Sequence, residues 1–285
     1  MHADSPDGVL PVDKPEGPTS HDAVARARRA LGTRRIGHTG TLDPFASGLL
    51  LLCVGSATRI AEYLGGLPKR YRARVRLGIA TDTDDRTGTI VRTSEAWRSL
   101  DRTAVEAALH AQLGEIEQRP PAFSAKKIEG ERAYRRARRG ETVAPRPVRV
   151  VIHRIEPVRF ELPDVELEVD CSAGTYIRSI ARDLGDALGV GAHLAALRRT
   201  RIGDFDVEHA VPLDAIADEA ARTRAWLSPL RALASFPRID VDDAAAALIR
   251  HGRAIPAPAG PEPPEAPVAV AHRDQLVAIA TWRDG

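Results

Sequence analysis

The segment Gly37-His38-Thr39-Gly40-Thr41-Leu42-Asp43-Pro44-Phe45-Ala46-Ser47-Gly48 constrains this chain more than any other. It cannot run through as ordinary helix or strand. Its glycines allow backbone angles that other residues resist. Pro44 fixes its own φ and pushes Asp43 out of the helical region. A loop that carries a His, an Asp and a Pro together reads as a working loop. For a lone Asp-Pro pair the simpler reading is a turn in which the carboxylate bonds its own backbone. The words on either side decide between the two.

Composition sets wide bounds. At 285 residues the chain can bury one good core and carry a small second domain. The net charge of +2 is unevenly placed: residues 211–285 hold 8 Lys/Arg against 10 Asp/Glu, and residues 1–210 hold 33 against 29. The basic residues are mostly Arg, whose planar fork suits phosphate, although a GC-rich genome gives the same bias. Cys53 and Cys171 lie far apart in apolar runs. Two cysteines are too few for a disulfide framework or a zinc site, so both read as small buried hydrophobes. Neither a signal-peptide run nor a membrane span is visible, and the expectation is a soluble cytoplasmic protein.

Periodicity predicts a mixed architecture. Residues 8–13 read as a strand. A helix capped by Thr19 or Ser20 runs to Leu31, with Val24, Ala27 and Leu31 on one face. Leu49–Val54 is a continuous apolar run of strand length, as in a buried central strand. Thr58–Leu64 reads as a short helix ending at Gly65-Gly66. Tyr71–Leu77 alternates, with Arg72, Arg74 and Arg76 on one side and Tyr71, Ala73, Val75 and Leu77 on the other. That pattern predicts a half-buried strand with a basic face. Residues 101–113 read as an amphipathic helix. Val148–Phe160 and Val165–Asp170 read as strands joined near Pro163-Asp164, and Tyr176–Leu188 as a helix closed by Gly189. Strands and helices without regular βαβ spacing indicate an α+β fold. A proline-rich break at 255–267 separates a helix over Asp242–Arg250 from strands over Val268–Ala271 and Gln275–Trp282.

The segment Lys126–Arg139 is the strongest electrostatic signal. Helical spacing from Glu131 puts Arg132, Arg135, Arg136 and Arg139 on one side. Clustered positive charge on one face suits phosphate binding; a solvated helix face is the alternative. Phe123 and Tyr134 read equally as base-stacking groups or core anchors.

Six words of the sequence fall in a shared order. They are Asp13-Lys14-Pro15 through Thr19-Ser20-His21-Asp22; the Gly37–Gly48 loop; Lys69-Arg70-Tyr71 through Leu77-Gly78; Pro120-Pro121-Ala122-Phe123-Ser124-Ala125-Lys126-Lys127; Gly174-Thr175-Tyr176-Ile177-Arg178; and Leu197-Arg198-Arg199-Thr200-Arg201-Ile202-Gly203. Together, over residues 9 to about 210, they resemble the motifs of the TruB family of tRNA pseudouridine synthases.

The resemblance implies a large mixed, mainly antiparallel sheet with a central cleft and flanking helices. It implies a catalytic domain over 1–234 and a reduced, PUA-like RNA-binding module over 235–285. It implies that Asp43 is the catalytic aspartate, Arg178 the arginine paired with it, and Tyr71 the active-site tyrosine. Among substrate-binding positions it implies His38 against the RNA loop, Tyr176 near the flipped uridine, and Leu197 closing the pocket. Lys14 and Lys69 follow as phosphate- or loop-anchoring residues. On pattern alone Tyr71 and Leu197 are inward core residues, Arg178 is a surface helix arginine, and His38 is a loop histidine bonding backbone.

The implied reaction breaks the N1–C1′ glycosidic bond of a uridine, turns the base and forms a C5–C1′ bond. It calls for no cofactor, metal or nucleotide. The substrate expected is uridine 55 in the T-loop of tRNA, acted on by a monomer without guide RNA. Guide-RNA-dependent relatives of the dyskerin type share the catalytic words. A tRNA-folding chaperone is a second alternative. An Asp-based glycosidase would want two carboxylates flanking the bond, and no second acid stands out in these motifs.

Overall fold

The computed structural model describes residues 7–123, 127–128, 131–132, 139, 145–256 and 267–281. In chain order they begin with β1 (Gly8–Lys14), α1 (Ser20–Leu31), β2 (Ile36–His38), β3 (Ser47–Val54), α2 (Ala61–Gly66) and β4 (Lys69–Leu77). A hairpin of β5 (Ile79–Thr81) and β6 (Ile90–Thr93) follows, then α3 (Arg102–His110), β7 (Gly114–Gln118), and the short β8 (Lys127–Ile128) and β9 (Glu131–Arg132). Next come β10 (Val148–Glu161), β11 (Asp164–Cys171), α4 (Ile177–Ala187), β12 (Ala192–Ile202), β13 (Phe205–Asp206) and β14 (Val211–Pro212). The last elements are α5 (Glu219–Ala225), α6 (Pro229–Ala232), β15 (Arg238–Asp240), α7 (Asp243–Arg250), β16 (Val268–His272) and β17 (Gln275–Ala280).

The described residues form one ten-stranded sheet in the order β14-β1-β3-β12-β4-β11-β10-β7, with β2 beside β3 and β13 beside β12. β1 with β14 and β3 with β12 pair parallel, while the other neighbours are antiparallel. The fold is therefore α+β with a mixed, mainly antiparallel sheet, as expected.

β3 is apolar throughout because both of its faces are covered. Leu49, Leu51 and Cys53 point into a core shared with Val9, Leu230, Leu233, Ala269 and Ala271. Leu50, Leu52 and Val54 point the other way, against Ala23, Val24 and Ala27 of α1. Each fully buried leucine contributes roughly 1.5–3 kcal/mol. Helix α1 starts where the sequence says it should, at a capping box between Thr19 and Asp22, and it stops at Gly32 in the left-handed conformation (φ 62°).

β4 and β11 instead have one open face. Tyr71, Ala73, Val75 and Leu77 pack with Val165, Leu167 and Val169 beneath Val105 and Leu109 of α3 and Ile177, Ile180, Ala181 and Leu184 of α4. The opposite face carries the β4 arginines, with acids facing them from β11 while β12 adds Arg198 and Arg201 on the other side of β4. Register sets Arg70, Arg72, Arg74 and Arg76 directly opposite Asp170, Glu168, Glu166 and Asp164. Arg70 pairs with Asp170 at 2.6 Å and Arg76 with Asp164 at 2.6 Å. The expected basic face is thus a cross-strand ladder of opposite charges. The sequence period showed which side the arginines share; it could not show that β11 would lie beside them.

Two further expectations change. Lys127–Ile128 and Glu131–Arg132 pair antiparallel, so Arg132 does not start a helix face. Gly130 interrupts the stretch with a residue poorly suited to a helix interior. Arg135 and Arg136 lie outside the described residues, and Arg139 falls in a turn. β12, next to the centre of the sheet, has no counterpart in the periodicity reading. Its sequence, Ala-His-Leu-Ala-Ala-Leu-Arg-Arg-Thr-Arg-Ile, is rich in alanine and arginine rather than β-branched residues. Its pairing with β4 on one side and β3 on the other decides its state.

Near the C-terminus, β15, β16 and β17 form a three-stranded sheet. Ala269 and Ala271 of β16 share the core beneath β1 and β3, and Tyr63 meets Phe236 edge-on at 6.4 Å. β17 ends at Ala280, and Trp282 lies outside the described residues.

Gly48 holds the tightest approach in the sheet. Its φ is +106°, and a Cβ there would stand 2.2 Å from the carbonyl oxygen of Arg199. Gly17 has a similar φ of +104° but open space around it. Gly48→Ala should cost roughly 2–5 kcal/mol, from backbone strain plus overpacking, and Gly17→Ala only about 1–2 kcal/mol from strain. Thermal melts of both variants check this. Equal losses would mean that the β3–β12 contact does not limit the site.

Candidate active site

The loop between β2 and β3 is clamped from several directions, which explains why two distant sequence words belong together. Ser20 Oγ donates to Leu42 O (3.2 Å) and accepts from Leu42 N (2.9 Å). Gly17 N donates to Pro44 O at 2.8 Å. Lys14 Nζ donates to Ala46 O at 2.7 Å, and also to Pro15 O and Pro18 O. From the far side, Arg199 donates to Gly40 O at 3.1 Å. Leu42, Phe45 and Ala46 are buried and pin the loop from below. The Asp13–Asp22 segment thus serves as a brace for the Asp43 loop.

Asp43 emerges from this loop beside Arg178, the second residue of α4. Arg178 Nε lies 3.0 Å from Asp43 Oδ2, and its Nη2 lies 3.3 Å from Oδ1. The guanidinium also donates to Thr83 O and Phe123 O, each at 3.0 Å, and stands 3.5 Å from Asp85 Oδ2. The Arg178 side chain is only 5% exposed, whereas Asp43 keeps 34% open to the cleft. Arg178 is therefore a buried organising cation rather than a surface helix arginine.

Asp85 is a second carboxylate that the sequence reading passed over. Its Oδ1 accepts from Thr83 Oγ1 (2.9 Å), Thr87 N (2.9 Å) and Thr87 Oγ1 (2.6 Å). The dense run Asp82-Thr83-Asp84-Asp85-Arg86-Thr87 on the β5–β6 connection was the available signal. Asp84 pairs in turn with Arg182 at 3.0 Å.

Burial raises the Asp43 carboxyl above the ordinary aspartate value of 3.8. Arg178 pulls it down, Asp85 pushes it up, Lys14 pulls it down, and the balance is upward. Arg178 draws the carboxyl toward its ionised form, but burial outweighs it. Burial also raises the Tyr71 phenol, while the Arg199 charge and its hydrogen bond to that phenol work the other way.

These groups surround a cleft of about 310 Å³ lined by Asp43, Tyr71, Arg178, Leu197 and Tyr176, together with Thr39–Leu42, Lys69 and Arg199. Six of the expected site residues, Lys69 among them, thus meet in one cavity. Tyr71 and Leu197 are buried at 8% and 7% exposure and serve both the core and the cleft. Tyr176 is held at the start of α4 by Gln118, whose Nε2 donates to Tyr176 O (3.1 Å) and whose Oε1 accepts from Tyr176 N (2.8 Å). No local sequence signal pointed to Gln118. His38 lies outside the lining, next to Thr39, and its ring meets that of His21 edge-on at 5.6 Å.

Of the two expected lysines, Lys14 is fully buried among three carbonyls. That leaves it the loop-anchoring role and removes it from contact with an RNA phosphate. Lys69 is 8% exposed and donates to Gly65 O and Leu67 O at 2.5 Å each.

Residues 28–177 match the N-terminal domain of the TruB family pseudouridylate synthases, and residues 178–234 match the tRNA pseudouridylate synthase B C-terminal domain. The chain is 48% identical over 257 residues to a tRNA pseudouridine synthase B of Mycobacterium sp. (strain KMS), covering 89% of this chain and 85% of that protein. It is 46% identical over 290 residues to that of Thermobifida fusca, covering 98% and 96%. Among solved structures it resembles one described as a Cbf5-Nop10-Gar1 complex, with 31% identity, a TM-score of 0.76, and coverage of 96% of this chain and 78% of that one.

Chemistry that uses the Asp43 carboxylate should show an acid limb above 3.8, because burial favours the protonated form. Removing the like charge in Asp85→Asn should move that limb to lower pH, even as the rate falls through looser anchoring of Arg178. A pH–rate profile of both proteins checks the sign. A limb that moves upward would contradict the electrostatic reading.

Proposed function

The chain belongs to the TruB family of pseudouridylate synthases, and from that membership we propose that it isomerises uridine 55 in the T-loop of tRNA, as a stand-alone enzyme. It is an isomerase, a tRNA pseudouridine synthase. The observation that carries the finer reading is the two-point contact of Arg178 on Asp43 in a cleft of about 310 Å³.

In this reading Asp43 is the catalytic carboxylate. Attack on C1′ and removal of the C2′ proton both need it ionised and aimed, and the Arg178 fork supplies the aim. A base inside a folded RNA loop has to leave its stack before its sugar can be reached. Tyr71 packs against the extruded base, Leu197 closes over it, and Tyr176 flanks it. His38, backed by His21, fills the space the base leaves. The phenol of Tyr71 is placed to assist removal of the C5 proton late in the reaction. The basic segment with Arg132, Arg135, Arg136 and Arg139 contacts the RNA backbone, and residues 235–285 act as a reduced PUA-like RNA-binding module behind the catalytic domain of residues 1–234. The protein works as a monomer in the cytoplasm, on the T-arm, without a guide RNA.

The likeness to Cbf5 in a complex with Nop10 and Gar1 favours a second, partner-dependent reading. The higher identity to tRNA pseudouridine synthases B over nearly their whole length supports the stand-alone one.

Asp43→Asn keeps the shape of the loop and removes the carboxylate. Turnover should fall by at least about 1,000-fold, while affinity for unmodified tRNA stays within a few-fold, because the loss lies in the chemical step. Single-turnover assays with direct binding measurements test this. Pseudouridine formation near the wild-type rate would remove Asp43 from the mechanism.

A further inference from the structure

The floor of the cleft carries more buried positive charge than the Asp43–Arg178 pair requires. Arg178 is balanced by Asp43 and Asp85. Lys69 and Arg199 are not balanced in this way. Arg199 is 2% exposed; its Nε donates to Leu49 O at 2.7 Å, its Nη2 donates to Gly40 O at 3.1 Å, and it lines the same cleft as Tyr71. Lys69, 8% exposed, donates to two carbonyls. Among the described residues neither forms an ion pair; both line the same cleft, and burial, helped by the Arg199 charge, draws the Lys69 ammonium down to about 8. Lys14, also held by carbonyls alone, adds a third cation behind the Asp43 loop.

Burying like charges without a carboxylate is unfavourable by several kcal/mol per ion. Carbonyl dipoles solvate such cations without cancelling their charge. The result is positive charge in the lining that Lys69 and Arg199 share with Tyr71 and Leu197, in place before any substrate enters. A site of this kind stabilises negative charge that develops during a reaction, with little reorganisation when it does.

Pseudouridine formation generates such charge. The N1–C1′ bond breaks with both electrons on N1, so the base becomes an anion and C1′ is left electron-poor. The base turns, its C5 electron pair forms the C5–C1′ bond, the proton on C5 is lost, and one is gained at N1. We propose that Lys69 and Arg199 form a cationic floor that stabilises the uracil anion released when the N1–C1′ bond breaks. This rests on the reading that the target uridine enters the Asp43 cleft. A backbone phosphate is the other anion to consider. Lys69 and Arg199 line the cleft at only 8% and 2% exposure, too buried for a hydrated phosphodiester to pair with both.

The test compares leaving groups. An electron-withdrawing fluorine at C5 makes the uracil anion more stable, so its departure needs less help. Single-turnover rates would be measured with T-arm stem-loops carrying uridine or 5-fluorouridine at the target position, following loss of the N1-linked nucleoside after digestion. Lys69→Gln and Arg199→Gln should slow uridine by about 100-fold and 5-fluorouridine by less than about 10-fold. Arg199→Lys, which keeps the charge, should return the uridine rate to within about 10-fold of wild type. Should Arg199→Gln fail to fold, Lys69→Gln and Arg199→Lys carry the comparison. Equal slowing of both substrates would overturn the proposal and leave the two residues as structural. Weaker, more salt-sensitive RNA binding with unchanged rates at saturation would also overturn it, in favour of phosphate contact. Asp43→Asn, measured in parallel, separates the two levels. Activity in that variant would sink the site reading and the proposal together. Inactivity there, with equal slowing in the Lys69 and Arg199 variants, would sink the proposal alone.

Discussion

One buried guanidinium joins the parts of the chain that make the site. Arg178 touches the Asp43 loop, the β5–β6 connection through Thr83 and Asp85, and the chain after β7 through Phe123 O. These segments are far apart in sequence, and Arg178 adds a polar junction to the apolar packing of Leu42, Phe45 and Ala46 with α4. A guanidinium has enough donors in one plane to bond several groups at once, and lysine does not. Burial strengthens each contact and makes the loss of any partner expensive. The same cation aims Asp43, restrains its tendency to take up a proton, and ties the cleft to the helix beneath the sheet.

The sheet explains why such a site can be rigid. β3 is covered on both faces and delivers the Asp43 loop from a fully packed strand. β4 is covered on the face that carries Tyr71, while its other face is held by opposed charges from β11. The loop is then braced by Lys14, Gly17 and Ser20 on one side and by Arg199 on the other. Backbone carbonyls turned toward buried cations recur throughout this region. They fix the loop, and they leave the positive charge of Lys69 and Arg199 unneutralised where a base anion would form.

Much of this was legible in the residues. The glycine, proline and aspartate of the Gly37–Gly48 loop announced an irregular working segment, and the unbroken apolar run of β3 announced a strand buried on both sides. The alternation in β4 placed Tyr71 inward correctly. What escaped depended on partners distant in sequence. β12 has the composition of a helix as much as of a strand, and only its neighbours settle it. The arginines of β4 looked basic until β11 supplied acids opposite each one. Asp85 sat in a polar, acid-rich turn in which three aspartates compete, and its role appears only when Arg178 arrives from about ninety residues away. Gly130 warned against a helix through Lys126–Arg139, yet the charge spacing drew attention first.

On the proposed reading this cleft, unaided, converts a single uridine of the T-loop. Purified full-length protein incubated with an unmodified tRNA transcript, followed by mapping of every uridine, tests it most directly. Pseudouridine should form at position 55 and nowhere else, with no guide RNA or other protein added. Conversion that requires a guide RNA or a protein partner, or that falls at other positions, would contradict the account.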